Sequence, residues 1–155
     1  SLIRKIIFDL KKMELSSDVD ELGMTIVEEL IKSTRIYVKP IYDLIEKYKI
    51  KGLCHITGGG FYENIPRILP KGLTAHIDTS KIKTPVIFKL LKEWGQIEDK
   101  EMYATFNMGI GMVMVVDKDQ VDEISNYLVE IGEEFTILGE VKKGNEGVVL
   151  WKLKE

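Results

Sequence analysis

Apolar residues recur at helical spacing from the start of the chain. Leu2, Ile3, Ile6, Ile7, Leu10 and Met13 form one stripe, which predicts a helix over 2–12 with Ser1 as its N-cap. Residues 14–20 are polar, with Ser16, Ser17 and Asp18, and read as a loop. Leu22, Ile26, Val27, Leu30 and Ile31 share one side of a second helix over 21–32. Thr34-Arg35-Ile36-Tyr37-Val38-Lys39 is rich in β-branched residues and reads as extended. Pro40 suits the first turn of the next helix, where its missing N–H costs nothing, and Ile41, Leu44, Ile45 and Tyr48 supply the buried face.

The pattern then alternates between strand and helix. Residues 52–57 form a short strand that runs straight into Gly58-Gly59-Gly60. Residues 61–69 turn helical and are closed by Pro70 and Gly72; residues 73–78 are a second strand. Thr84-Pro85 reads as N-cap and first residue of a helix reaching Trp94, with Gly95 as its stop. Residues 109–116 are an apolar strand of the kind expected at the centre of a sheet. A helix over Asp117–Ile131 turns Val121, Ile124, Leu128 and Ile131 inward and ends at Gly132. Strands over 134–142 and 147–153 flank a turn at Gly144-Asn145. The expectation is one α/β (α+β) domain over 1–155, a mixed β-sheet of about four to six strands packed with helices.

Composition changes this picture little. A 155-residue chain with 45% hydrophobic and 30% charged residues is expected to be a single globular domain. A formal net charge of −3 leaves no general footprint for nucleic acid, although a small basic pocket remains compatible with it. Cys54 is the single cysteine, so no intrachain disulfide forms, and a cytoplasmic location fits. No apolar run approaches a membrane span. The chain opens on Ser1, without Met and inside an amphipathic helix, as expected of a piece of a longer protein; a small domain that has lost only its initiator Met is the other reading.

Three segments can carry chemistry. In His55-Ile-Thr57-Gly58-Gly59-Gly60-Phe61-Tyr-Glu63-Asn64-Ile-Pro-Arg67, three costly glycines sit between a strand and a helix. Backbone N–H groups can converge there on an anion, with Thr57 adding a hydroxyl and Arg67 a fork of donors. The plainer alternative is a tight turn, because the loop is neither a Walker A sequence nor GxGxxG. His55 is a candidate acid, base or hydrogen-bond donor, set on the face opposite Cys54 and Ile56. His76 lacks a supporting constellation, and Cys54 reads as a small buried residue. In Glu101-Met-Tyr103-Ala-Thr105-Phe106-Asn107-Met-Gly109-Ile-Gly111-Met112, the glycines mark a bulge or a close backbone approach. Either this strand lies beside the glycine loop and Asn107 contributes to a cleft, or Gly109 and Gly111 merely relieve crowding beneath a helix. In the third segment, alternation over 34–39 would put Arg35, Tyr37 and Lys39 on one face, to bind a phosphorylated ligand or to guard an edge strand.

Together, TRIYVK at 34–39, H-x-TGGGF-x-EN-x-P-R at 55–67 and EMY-x-TFN-x-G-x-GM at 101–112 resemble the C-terminal half of the phosphoribosylformylglycinamidine cyclo-ligase family, also called aminoimidazole ribonucleotide synthetases. The resemblance runs from about Ser1 to Trp151. It implies an ATP-dependent ligase of purine biosynthesis that closes the imidazole ring of formylglycinamidine ribonucleotide, with magnesium. It also implies a homodimer and an N-terminal ATP-binding domain that has no counterpart here. On this basis Thr57, Gly58, Gly59 and Gly60 are expected to contact a phosphate, with Asn64 and Arg67 in support. His55 is the candidate for the catalytic role, and Asn107 and Lys39 are further binding candidates. ATP and magnesium would be held mainly by the absent domain, so this chain alone is expected to be inactive. The alternatives are the corresponding domain of a selenophosphate synthetase-like or formylglycinamidine synthetase-like protein, and a non-catalytic module that packs on a nucleotide-binding partner.

Overall fold

A computed structural model of the chain describes residues 1–152. The amino-terminal helix α1 (Leu2–Arg4) continues as a π-helix over Lys5–Leu10 and buries Ile6 and Ile7. A small antiparallel hairpin follows, β1 (Asp18–Val19) with β2 (Met24–Thr25), and leads into α2 (Ile26–Leu30). The helix expected over 21–32 is therefore shorter at its start. Thr25 accepts from the Glu28 amide while the Glu28 carboxylate accepts from the Thr25 amide, and this capping box fixes the helix start after Thr25.

Helix α3 (Val38–Lys47) carries Pro40 in its first turn, as expected. The extended segment before it is not a strand. Residues 32–37 have no regular structure, Val38 already belongs to α3, and Ile36 and Val38 are 80% and 75% exposed. Among the described residues, no strand pairs with it to reward the β-branched alternation. Strand β3 (Ile50–His55) leads through the glycine loop to α4 (Gly60–Asn64) and a 3₁₀ turn (Ile65–Ile68). Next come β4 (Leu73–Asp78), a 3₁₀ turn (Thr79–Lys81), α5 (Val86–Gly95) and α6 (Asp99–Thr105). Helix α5 starts one residue later than expected. It ends with Gln96, not Gly95, in the left-handed conformation, and Gly95 instead packs close to Ile6.

The chain closes with β5 (Met112–Val116), a 3₁₀ turn (Lys118–Gln120), α7 (Val121–Glu130), β6 (Gly139–Lys143) and β7 (Val148–Trp151). The α+β class holds, but the strands do not form one sheet. Strand β4 lies between β6, antiparallel, and β7, parallel; β3 pairs only with β5, antiparallel. The expectation that 109–116 is central is thus corrected: β5 has one hydrogen-bonded neighbour and begins only at Met112. A turn over 107–110 delays it, with Met108 and Gly109 at positive φ and the Gly109 amide donating to Asn107 Oδ1 at 3.0 Å. The strand expected over 134–142 begins at Gly139, because 133–138 is irregular and leaves Phe135 and Ile137 exposed. Ile131, expected inward, is 38% exposed at the C-cap of α7. Residue 153 of the last expected strand lies outside the described residues.

Strands β3 and β5 separate two apolar clusters. Cys54, Ile56 and Val113 face the larger one, with Ile6, Ile7, Phe61, Ile65, Leu91 and Met102. Ile50, Met114 and Val116 face the smaller one, built from Leu44 of α3 and Ile124, Tyr127 and Leu128 of α7. Helices therefore cover the β3–β5 pair from both sides. The glycine loop and the residues that flank it emerge at one end of this layer.

Candidate functional site

The site is built from the end of β3 outward. Alternation along β3 buries Cys54 and Ile56 and leaves His55 exposed on the other face, as expected for a period of two. Burial pushes the Cys54 thiol up from its ordinary range, against a weaker opposing pull from Arg67. That keeps it protonated and fits its reading as a small core residue.

Beyond His55 the chain enters the glycine loop. Gly59 and Gly60 have φ of +87° and +53°, where only glycine is unstrained. The Gly60 amide donates to the Thr57 carbonyl at 3.1 Å and closes the turn. Gly60 also rests against the end of α6: a Cβ there would overlap the Tyr103 carbonyl oxygen and lie 2.9 Å from the Ala104 carbonyl carbon. One glycine of the three thus admits a second backbone, whereas Gly58 has no atom within 4 Å of where a Cβ would sit. The amides of Thr57, Gly58 and Gly59 have no hydrogen-bond acceptor among the described residues.

Asn64 holds this loop from beneath. It is buried, and its side-chain amide donates to the carbonyls of Gly60 at 2.8 Å, Gly58 at 3.1 Å and Thr57 at 3.3 Å. Arg67 donates to Asn64 Oδ1 at 3.3 Å and to the Glu63 carboxylate at 3.5 Å. Asn64 and Arg67 therefore lie directly against the loop, with the Arg67 fork on the exposed side. The Glu63 side chain lies against Gly59, a contact that no pattern in the chain foretells. An anion reaching the loop meets that carboxylate, and Arg67 partly neutralises it.

The three sequence segments meet at Tyr37. Its ring contacts His55 edge-on, with centroids 5.9 Å apart, and its hydroxyl lies over Gly111, where a Cβ would overlap it. The Gly111 carbonyl accepts from the Ile56 amide at 2.8 Å, so the backbone beside His55 is pinned to the segment leading into β5. Arg35 lies 5.8 Å over the Tyr37 ring and is paired with Glu133, beyond the end of α7. The glycine at 111 thus marks the close approach read from the sequence, although the approaching group is a side chain.

The remaining candidates lie elsewhere. Lys39 is exposed in the first turn of α3, and the strand alternation that would have grouped it with Arg35 and Tyr37 does not exist. Asn107 is half-buried and spends its side-chain oxygen on the 107–110 turn. A cavity of about 860 Å³, not foreseen from the sequence, opens between β5, α7 and residues 133–141; Arg35, Tyr37, His76, Gly109 and Gly111 are among its lining residues. The glycine loop does not line it, and Tyr37 joins the two by touching both the cavity and His55. Among the described residues, no group of three or more His, Cys, Asp and Glu is placed to hold a metal ion. None of the described helices is long and apolar enough to cross a membrane.

Residues 3–152 match the family described as AIR synthase related protein, C-terminal domain. The chain is 48% identical over 150 residues to the phosphoribosylformylglycinamidine cyclo-ligase of Alkaliphilus metalliredigens (strain QYMF), covering 97% of this chain and 43% of that protein. It is 46% identical over 150 residues to the enzyme of the same name from Caldanaerobacter subterraneus subsp. tengcongensis, covering 97% of this chain and 44% of that protein. The chain thus spans a little under half the length of the curated relatives it matches.

Proposed function

Because the chain belongs to the family of AIR synthase related proteins, as its C-terminal domain, we propose that it is the C-terminal part of a cyclo-ligase that converts formylglycinamidine ribonucleotide to aminoimidazole ribonucleotide in purine biosynthesis. The observation that carries this reading is the convergence of all three family-like segments on one end of the β3–β5 pair, where Tyr37 touches both His55 and Gly111.

In this reading the free amides of Thr57, Gly58 and Gly59 receive the phosphate of the ribonucleotide. Asn64 keeps the loop carbonyls turned away from the anion by donating to three of them. Arg67 offsets the Glu63 charge and supplies a donor fork at the rim. His55, exposed at the end of β3, is placed to exchange a proton with the substrate or to donate a hydrogen bond to it. Asn107 and Lys39 are secondary. ATP, when bound, drives removal of the formyl oxygen. In this reading ATP and magnesium are held mainly by the rest of the enzyme. An N-terminal ATP-binding domain, a homodimeric assembly and a cytoplasmic setting complete the proposal; nucleic acid and membrane have no part in it.

The test is reconstitution. The purified chain is mixed with the separately made amino-terminal half of a cyclo-ligase relative, and ring closure and ADP release are assayed. Turnover is expected from the mixture and not from the chain alone. Robust turnover by the chain alone would overturn the division of labour. In parallel, inorganic phosphate is titrated while the amides of Thr57 to Phe61 are followed by NMR. If they stay still at concentrations that move other amides, the loop is only a turn.

A further inference from the structure

We propose that Tyr37 is the positioning residue for His55, holding its imidazole at the entrance to the glycine loop so that it faces a phosphorylated sugar bound there. The inference rests on the reading of the loop as a phosphate site, but its geometry stands independently. Tyr37 is the N-cap residue of α3, so its backbone is fixed at a helix start rather than in a free loop. Its ring is gripped on three sides. Arg35 lies over it at 5.8 Å, and Arg35 is itself anchored by Glu133. His55 meets it edge-on at 5.9 Å and 64°. Gly111 underlies the hydroxyl, and a Cβ there would also come within 2.7 Å of Tyr37 Cζ.

His55 itself is exposed, and an exposed side chain at a strand end has several staggered rotamers open to it. Aromatic rings at such distances attract each other edge-on, and that preference selects one rotamer among a few of similar energy. The seat is kept rigid because Gly111 is hydrogen-bonded to Ile56, the residue next to His55. Tyr37, His55 and Gly111 therefore close a small ring of contacts, two residues before Thr57. An imidazole so held presents one nitrogen edge in a fixed direction, which proton transfer to a bound substrate requires.

The test uses the whole chain and NMR. In the ligand-free protein, the His55 ring protons carry a ring-current displacement from Tyr37. Tyr37→Leu should abolish that displacement, and Tyr37→Phe should keep it. Gly111→Ala should abolish it by pushing the hydroxyl out, and the damage should be partly relieved in the Tyr37→Phe background. Ribose 5-phosphate is then titrated into each protein. In the wild type and Tyr37→Phe, the amides of Thr57 to Phe61 and the His55 ring signals should shift together. In Tyr37→Leu the amides should still shift, while the His55 response is lost.

Unchanged His55 signals in Tyr37→Leu, free or bound, would overturn the proposal. If Tyr37→Leu does not fold, the comparison of Gly111→Ala with its Tyr37→Phe double variant decides the matter. Amides that ignore ribose 5-phosphate in the wild type would overturn the phosphate reading of the loop instead, and the ligand-free ring-current comparison would still decide the role of Tyr37.

Discussion

The buried side-chain amide of Asn64 donates to the carbonyl of Gly60 at 2.8 Å and reaches the carbonyls of Gly58 and Thr57 from the same nitrogen. One group thus fixes the peptide orientations at Thr57, Gly58 and Gly60 in a loop whose glycines would otherwise leave them free. Replacing Asn64 by Leu removes the donor and strands those carbonyls. We expect a loss of about 1–3 kcal/mol in urea denaturation. Asn64→Asp, which keeps the shape but replaces the donor with a carboxylate, should be at least as harmful. Loop amides in both variants should lose their response to phosphate.

The glycines of the loop should differ sharply in tolerance. Gly60→Ala combines a positive φ with overlap on the Tyr103 carbonyl, and should cost at least about 1 kcal/mol. Gly58→Ala meets no neighbour within 4 Å and should stay within about 0.5 kcal/mol of the wild type. Thermal melts of the two variants side by side check this. Equal destabilisation would mean that α6 can yield to the loop.

Acid should act through Asp78. The ammonium of Lys152, at 2.8 Å, and then the Ser80 hydroxyl, at 2.6 Å, hold its carboxyl below the ordinary Asp range, against a smaller opposing effect of burial. Because the folded-state value is depressed, the stabilisation is complete above the unfolded Asp value of about 3.9 and is lost as pH falls through the lower folded value. Melting temperatures measured from about pH 6 down to about pH 2 should fall less steeply below about pH 4 in Asp78→Asn than in the wild type. Glu28 and Glu140, also held low by Thr25 and Lys142 respectively, account for part of the slope that remains.

The capping box of α2 offers a test remote from the site. Thr25→Ala removes the hydroxyl that accepts from the Glu28 amide and donates to the Glu28 carboxylate, and leaves only the backbone Thr25 donor. The expected loss is about 1 kcal/mol in chemical denaturation, with the phosphate response proposed for the loop unchanged. A change in loop binding would mean that the amino-terminal hairpin and the site communicate.

These particulars also show what could be read from the chain before its structure. Strands β3 and β4 and helices α5 and α7 were legible because their apolar spacing matches their burial, and His55 was placed on its correct face by alternation alone. Residues 34–39 were not, because alternation reports a pattern and not a partner: Arg35 and Tyr37 spend their side chains on Glu133, His55 and Gly111 rather than on a neighbouring strand. The same gap hid the edge position of β5, since a run of apolar residues fits a strand covered by helices as well as one flanked by strands. Thr25-x-x-Glu28 is a helix-start signal in its own right, and it outweighs the longer apolar stripe. At the site, the triple glycine pointed to close approach without saying by what, and Asn64 showed itself as a clasp only once its three acceptors were in place.

The pairing of β4 fixes an order of assembly. Its antiparallel neighbour, β6, begins at Gly139, and its parallel neighbour brings Val148 opposite Ala75. Both partners emerge from a ribosome some 60 to 70 residues after β4 itself. During synthesis β4 is therefore without its strand partners for several seconds, at the usual rate of about 5–20 residues per second. The β3–β5 pair, with its glycine loop, can close before either partner appears. The part of the domain that bears the site is thus positioned to fold first, and the sheet that carries Asp78 waits for the last strand to arrive.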